Sequence, residues 1–368
     1  MKLAQAISWL KGTLQGCLFP HLEDCWNTAL TDKEQQLVSI LELARVEEFV
    51  HRCASNQWLG RKLRERESIA RSFVAKAVYG YPFTRSLIEA LKTTPNLRRI
   101  CGFRRVSDIP CEATFSRAFA ESSKTGLGER AHEAMVERCL KPELVGHISR
   151  DATAIEGREK PAKKPPKEKP APKKRGRPAK GEQREPKEET RLERQVGQSV
   201  EQALRELPVF CDAGTKKNSK GYKETWIGYK LHADVNDCGL PVSVVLTAAS
   251  LHDSQVAIPL MKMSAARVDY LYDLMDAAYD AGPIYEVSRK LGHVPIIDKN
   301  SRGKEIIPMA PHEAVRYNER TAAERFNSRI KEEFGARNIM VRGAQKVKTH
   351  LMFGVLALFA DQLLKLAI

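Results

Sequence analysis

Hydrophobic and polar positions alternate with different periods in different parts of the chain. Up to about residue 140, Leu, Ala, Glu, Lys and Arg recur in long stretches with few strand-like runs, which predicts a helical region. Within it, residues 85–92, 96–100 and 112–121 read as three short helices, broken by Pro95 and by Ser107-Asp108-Ile109-Pro110. This grouping has the size of a helix-turn-helix whose Thr114, Ser116 and Arg117 would enter a major groove, and equally that of a plain three-helix bundle.

From about Glu143 the period changes. Residues 144–155 are apolar with single polar interruptions and predict a strand, on which Asp151 and Thr153 share a face. Residues 226–235 and 241–248 predict two more strands, joined through Asn236-Asp237-Cys238-Gly239 as a hairpin turn. A helix over 254–264 follows. An apolar run over 268–275 then delivers Asp276 at its end, before a helix over 284–291, a strand over 294–297 and a last amphipathic helix. Strand, two paired strands, helix, strand, helix, strand, helix is a mixed α/β order.

Between these halves the material is different. Residues 157–180 hold 11 Lys or Arg against 2 Glu, with six prolines. That composition forms no packed core and predicts a disordered basic insertion. Its Arg175-Gly176-Arg177-Pro178 is similar to an AT-hook, an extended element that lies in a narrow A·T minor groove, and a non-specific phosphate-binding tail explains the same residues. Beyond it Leu192, Val196, Val200 and Leu204 recur every four residues, predicting a charged helix that leads back to the folded part.

Lys and Arg number 61 against 46 Asp and Glu, which points to a polyanionic partner such as nucleic acid. The longest apolar run, 351–360, stops at Asp361 and is too short to span a bilayer, and the N-terminus carries no convincing secretory signal, so a cytoplasmic protein is expected. The eight cysteines include no C-x-x-C pair, which argues for reduced thiols rather than a disulfide or zinc framework.

The chemistry concentrates in Tyr317, Arg320, Glu324 and Lys331, spaced Y-x2-R-x3-E-x6-K. At about 100° per residue these four fall within an arc of roughly 60° on a helix, while Ala322, Ala323, Phe326, Ile330 and Phe334 form a separate core face. A carboxylate between two cations suits a site that holds a divalent ion and grips phosphate oxygens; charge pairs on a solvated helix give the same pattern. Asp151, in the first predicted strand, and Asp276, at the end of a later one, could stand close together opposite Glu324 if those strands are adjacent in one sheet. Three anions so placed repel by several kcal/mol, roughly, even at an effective dielectric near 20, unless cations fill the cluster.

These residues, with Trp226-Ile-Gly-Tyr-Lys-Leu-His232, Leu251-His-Asp-Ser254 and Met275-Asp-Ala-Ala-Tyr-Asp280, resemble a bacterial insertion-sequence transposase of the DDE type, in the branch with a Y-R-E-K signature. The resemblance covers about 145–345. It implies a ribonuclease H-like mixed sheet flanked by helices, with Asp151, Asp276 and Glu324 as the catalytic metal ligands. It also implies two Mg²⁺ ions, for which Mn²⁺ substitutes, and Tyr317, Arg320 and Lys331 as residues that hold the DNA backbone. Water would first free a 3′-hydroxyl at the element's end, and that hydroxyl would attack target DNA. Double-stranded DNA is the expected partner, bound by a homodimer because two ends must be joined.

Lys230 and His232 share a strand face and could line the DNA side. Asp253 or Ser254 is expected to cap the helix that follows, and Tyr279 to be core. The expected organisation is a helical, DNA-binding region over 1–140, a catalytic region over 141–156 and 207–345, the basic insertion over 157–206 and a C-terminal helix over 346–368. Only 47 residues separate Asp276 from Glu324, so the β-rich insertion some relatives use for hairpin formation is missing. The competing reading is a catalytically idle DNA-binding protein that uses the helix-turn-helix-like and Arg-Gly-Arg elements.

Overall fold

The computed structural model describes residues 29–50, 66–162, 188–217, 221–300 and 308–367. Among the described residues six α-helices precede the sheet: α1 (Asp32–Ala44), α2 (Arg66–Val78), α3 (Thr84–Thr93), α4 (Pro95–Ile100), α5 (Glu112–Thr125) and α6 (Leu127–Cys139). Their ends follow local chemistry. Thr31 and Glu34 close a capping box on α1, and Gly126, left-handed at φ 60°, ends α5 and starts α6. The three short helices expected before residue 125 are α3, α4 and α5, and Ser116 and Arg117 on α5 are exposed.

A mixed sheet follows, built from β1 (Val145–Glu156), β2 (Asp212–Lys217), β3 (Lys223–Asn236), β4 (Pro241–Ala248), β5 (Tyr270–Met275) and β6 (Val294–Ile297). Its order is β2-β3-β1-β5-β6, with β4 also pairing β3. β3 runs antiparallel to β1, β2 and β4, while β5 and β6 run parallel to β1 through helical crossovers. The β3–β4 turn is the expected one: Gly239 is left-handed at φ 78°, and Asn236 Oδ1 accepts from Leu240 N at 2.8 Å. This arrangement, with helices on both faces, is ribonuclease H-like.

The crossover helices α9 (Ser254–Arg267) and α10 (Gly282–Lys290) cover one face, where Ile258, Met261, Met275, Tyr279, Ile284 and Ile297 pack together. On the other face lies α12 (Thr321–Glu332), whose Ala322, Ala323, Phe326 and Ile330 are buried as the wheel requires. The last helix, α13 (Ala344–Leu366), joins both halves of the molecule, packing on α1, α2, α5 and α6 and touching α12 and β4. It is long and apolar enough to cross a membrane, yet most of it is buried inside the protein. Its Asp361 is paired with Arg329 at 2.5 Å and Lys365 at 3.0 Å.

Three expectations change. The stretch from Leu192 to Leu204 forms two helices, α7 (Arg191–Gly197) and α8 (Val200–Arg205), because Ser199 starts a new capping box with Gln202. β2 was not expected; its Asp-Ala-Gly-Thr-Lys-Lys has no apolar alternation and is held by backbone pairing to β3. The segment from Tyr317 to Lys331 is not one α-helix. α11 (Pro311–Tyr317) ends at Tyr317 and a 3₁₀ turn over Asn318–Arg320 leads into α12, the backbone staying right-handed throughout.

Candidate active site

The register of β1 against β5 places the first two acids. Ser149 stands opposite Leu274, so two residues on, Asp151 and Asp276 lie at the same end of the sheet. Asp276 has just left β5 and caps the 3₁₀ turn Ala277–Tyr279, accepting from Ala278 N at 2.9 Å. Asp151 faces α12, where Asn327 Nδ2 donates to its Oδ2 at 3.0 Å. Ser149, on the same face of β1, donates to Glu319 O at 3.3 Å and holds the turn before α12 against the strand.

Both carboxyls bind protons more tightly than usual. Burial raises Asp151 to about 6, and the charges of Asp276 and Asp253 add to it while Arg320 opposes. Asp276 is raised by burial first and then by Asp253, against Arg320 and His252. Two half-buried carboxylates that disfavour each other's charge, both hard oxygen donors, fit a divalent cation such as Mg²⁺. The buried hydroxyl of Tyr279, 1% exposed and without a hydrogen-bond partner, lies in the field of both acids and of Asp253. Among the described residues, no three Asp, Glu, His or Cys side chains converge closely enough to cage an ion.

Glu324 projects from the first turn of α12, and its Oε1 accepts from Arg320 Nη2 at 2.5 Å. The carboxylate is 53% exposed, so this i,i+4 pair is one that a competing cation opens at little cost. Arg320 is the hub. Burial opposes its charge, but Tyr317, Asp151, Glu324 and Asp276 raise its pKa and keep it cationic, and its guanidinium sits 5.8 Å from the Tyr317 ring. Lys331, near the far end of α12, is half-buried; burial lowers its pKa and the nearby Lys216 and Arg337 lower it further. It therefore belongs to a basic cluster shared by α12, β2 and the segment after α12.

Two residues expected on the DNA side are placed otherwise. His232 is 1% exposed, its Nε2 lies 2.9 Å from Thr247 Oγ1, and burial lowers its pKa to about 4. A buried neutral imidazole does not meet a phosphate. Lys230 Nζ donates to Asp253 Oδ1 and to Leu251 O, both at 2.8 Å, and so is engaged inside the protein. Strand parity put both residues on one face correctly, but that face is the one α9 covers. Asp253 and Ser254 do not cap α9 either: Asp253 makes no capping bond, and Ser254 Oγ lies 2.8 Å from His252 Nδ1.

Three residues gained importance only in three dimensions. Asn327 follows Glu324 by three positions, so helical spacing could have found it. Asp253 sits in the His252-Asp253-Ser254 motif, where its side chain turns toward Lys230. Arg150 is buried on the reverse face of β1, donating to Asp234 Oδ2 at 2.6 Å and to Asp273 Oδ1 at 3.3 Å. Asp273 also accepts from Ser288 Oγ at 2.6 Å, and Asp234 from Ser264 Oγ at 2.6 Å. Asp273 is thus a structural ion-pair partner. Asp280, at the end of the Asp276 turn, accepts from Tyr285 Oη at 3.1 Å and from Asn300 N at 3.1 Å. The Arg175-Gly176-Arg177-Pro178 element and most of the basic insertion lie outside the described residues.

Residues 147–360 match the family model described as transposase DDE domain, and residues 26–121 match one described as transposase domain (DUF772). Compared with curated proteins and with solved structures, the chain shows no match. The longer match runs from β1 through α12 and most of α13 and contains all three candidate acids; the shorter one contains α1 to α4 and most of α5.

Proposed function

The chain belongs to the DDE transposase family of insertion sequences, and on that premise we propose that it cleaves DNA strands at the element's ends and transfers them into target DNA. Membership implies DNA binding and a divalent metal. The finer reading assigns Asp151, Asp276 and Glu324 as ligands of two Mg²⁺ ions, replaceable by Mn²⁺, in a DNA-bound homodimer acting in the bacterial cytoplasm at the nucleoid.

The observation that supports this reading is the pairing of β1 with β5, whose register brings Asp151 and Asp276 to one end of the sheet, with Asn327 of the helix bearing Glu324 bonded to Asp151. When bound, the metal supplies Lewis acidity toward the scissile phosphate and lowers the pKa of the attacking hydroxyl. The protein's own residues prepare the site. Asn327 orients Asp151, and the turn at Ala277–Tyr279 fixes Asp276. Arg320, paired with Glu324 and in the field of Asp151 and Asp276, would offer its guanidinium to a phosphate. Lys331 with Lys216 and Arg337 forms the basic continuation along which a backbone would run.

A supercoiled plasmid carrying the element's ends tests the proposal. With Mg²⁺ the protein should nick at the ends; Asp151→Asn and Glu324→Gln should each lower the rate by at least about a hundredfold, as loss of a transition-state stabiliser does. Undiminished nicking by Glu324→Gln would show that another activity was being followed. Absence of nicking by the intact protein, together with specific binding to the ends, would favour the catalytically idle DNA binder instead.

A further inference from the structure

We propose that the two-stranded ribbon formed by β2 and the first part of β3 is a DNA-binding arm that lies in the major groove of the duplex beside the cut. The inference rests on the DNA-binding reading given above.

The ladder changes character along β3. From Tyr229 to Val235 the strand is paired on both sides, by β1 and by β4. From Trp226 outward its ladder partner among the described residues is β2 alone, in the register Gly214↔Trp226, Thr215↔Thr225, Lys216↔Glu224 and Lys217↔Lys223. Thr215, Lys216, Lys223, Glu224 and Thr225 are all exposed, so this part of the ribbon has no core on either face. An isolated pair of strands is only marginally stable in water. Here the base is fixed. Trp226 is buried opposite Gly214, whose missing side chain makes room for the indole, since a Cβ there would meet Trp226 Cε2 at 2.7 Å. Trp226 Nε1 also donates to Tyr229 O at 3.0 Å.

The ribbon leaves the sheet at the end where Asp151 and Asp276 lie. β1 runs on from Asp151 to Glu156, which stands opposite Gly228, and the ribbon continues past that point. At strand rise it begins roughly 17 Å from Asp151 and reaches roughly 33 Å at Lys223, a span within about one turn of duplex.

Charge selects the partner. Residues 215–225 hold four lysines against one glutamate. Lys216 and Glu224 pair at 3.7 Å in an exposed contact that contributes little. The register sets Lys217 opposite Lys223, a like-charge placement that disfavours the free ribbon and that phosphates offset. Thr215 and Thr225, their hydroxyl oxygens 3.3 Å apart, belong to the same face. The major groove admits a two-stranded ribbon, and threonine there can meet base edges and thymine methyls. Lysines along an open edge oppose pairing with a second copy of the chain.

The test is the affinity of the full-length protein for random-sequence duplex DNA as a function of salt, with Thr225 changed in both directions. Thr225→Lys should tighten binding and make the slope of log affinity against log salt more negative by about 0.9, one further phosphate neutralised. Thr225→Glu should weaken binding severalfold. Leu144 is 65% exposed just before β1, at the opposite end of that strand, so Leu144→Lys measures the effect of net charge alone. Circular dichroism checks folding, and if Thr225→Glu fails to fold, the comparison of the two lysine variants decides. Wild-type affinity and slope in Thr225→Lys, or a gain no larger than that of Leu144→Lys, overturns the inference. So does a change confined to the sedimentation of the free protein, which would make the ribbon an edge for a second copy. End-dependent nicking that still requires Glu324 would then leave the proposed function standing.

Discussion

At the level of single residues, burial decides which ionisable groups are free to act. Buried His132 and His350 are pushed down to about 3, and His232 to about 4. Each is hydrogen-bonded or close to an acceptor: His132 Nε2 lies 2.8 Å from Pro241 O and His350 Nε2 3.1 Å from Gly335 O. A histidine held below its unfolded value contributes stability that is fully present above about 6.5 and is lost as pH falls through that value toward 3. Asp151 has the opposite sign, since its raised value favours the folded state below about 4 and loses that contribution as pH rises through about 6. Each buried histidine should therefore lower the unfolding free energy, measured in urea, by on the order of 2 kcal/mol between pH 7 and pH 4.5, a fall that the raised carboxyls Glu42, Asp151 and Asp276 oppose. His132→Gln, which can still donate to Pro241 O, should remove one share of that fall; an identical pH profile would show that His132 is not the group being protonated. His232 also shows what sequence could and could not give. Alternation along β3 put it on a face with Lys230, but parity does not say which helix covers that face.

Elements explain how the acids come to lie together. Asp151 was legible because β1 is apolar with single polar interruptions, and the buried face of α12 because Ala322, Ala323, Phe326 and Ile330 keep the helical period. The clamp beneath them was not legible. Arg150, Asp234 and Asp273 lie on β1, β3 and β5, and nothing in their sequence spacing announces that one guanidinium will be buried between two carboxylates from different strands. Burial alone would lower the Arg150 pKa, yet Asp234 and Asp273 raise it above its ordinary value, so the guanidinium at the centre of the clamp stays charged, while burial raises Asp234 and Arg150 helps to hold Asp273 low. It therefore fixes the lateral position of β5 against β1, one residue before Asp151 and three before Asp276. Arg150→Met should destabilise the protein by about 3–5 kcal/mol, because it leaves two buried carboxylates uncompensated. A triple change of Arg150 to Met, Asp234 to Leu and Asp273 to Leu should recover much of that loss in chemical denaturation. If Arg150→Met unfolds at the same denaturant concentration as the wild type, the clamp is not holding the strands.

The whole molecule is organised around α13 and around the basic insertion. A single hydrophobic core runs from the N-terminal helices through α13 to α12 and the sheet, so the region expected to bind DNA and the region expected to cut it are packed as one body. Gly354 permits the closest approach, since a Cβ there would meet Phe334 O at 2.7 Å and Ile330 Cδ1 at 3.1 Å, on and just beyond the helix that bears Glu324. The described start of the insertion is tied to the folded part. Ala162 N donates to Cys211 O at 2.9 Å, and Glu159 accepts from the Tyr229 hydroxyl and from Gly343 N at the head of α13. At its other end Thr190 caps α7 in a capping box with Glu193. Residues 163–187 carry 11 Lys or Arg against 3 Glu, more than half of the chain's net charge of +15. Their removal therefore leaves the folded anchors in place while taking away charge that releases counterions from DNA. Replacing 163–187 by a short Gly-Ser linker should leave Mn²⁺ binding and the thermal melt unchanged. The slope of log affinity for duplex DNA against log salt should become less negative, by about 0.9 for each lysine or arginine that had been neutralising a phosphate. A slope equal to that of the intact chain would mean that these side chains touch no phosphate. A reduced slope on random DNA, with a larger loss on A·T-rich than on G·C-rich duplexes, would identify Arg175-Gly176-Arg177 as a minor-groove reader rather than a general anchor.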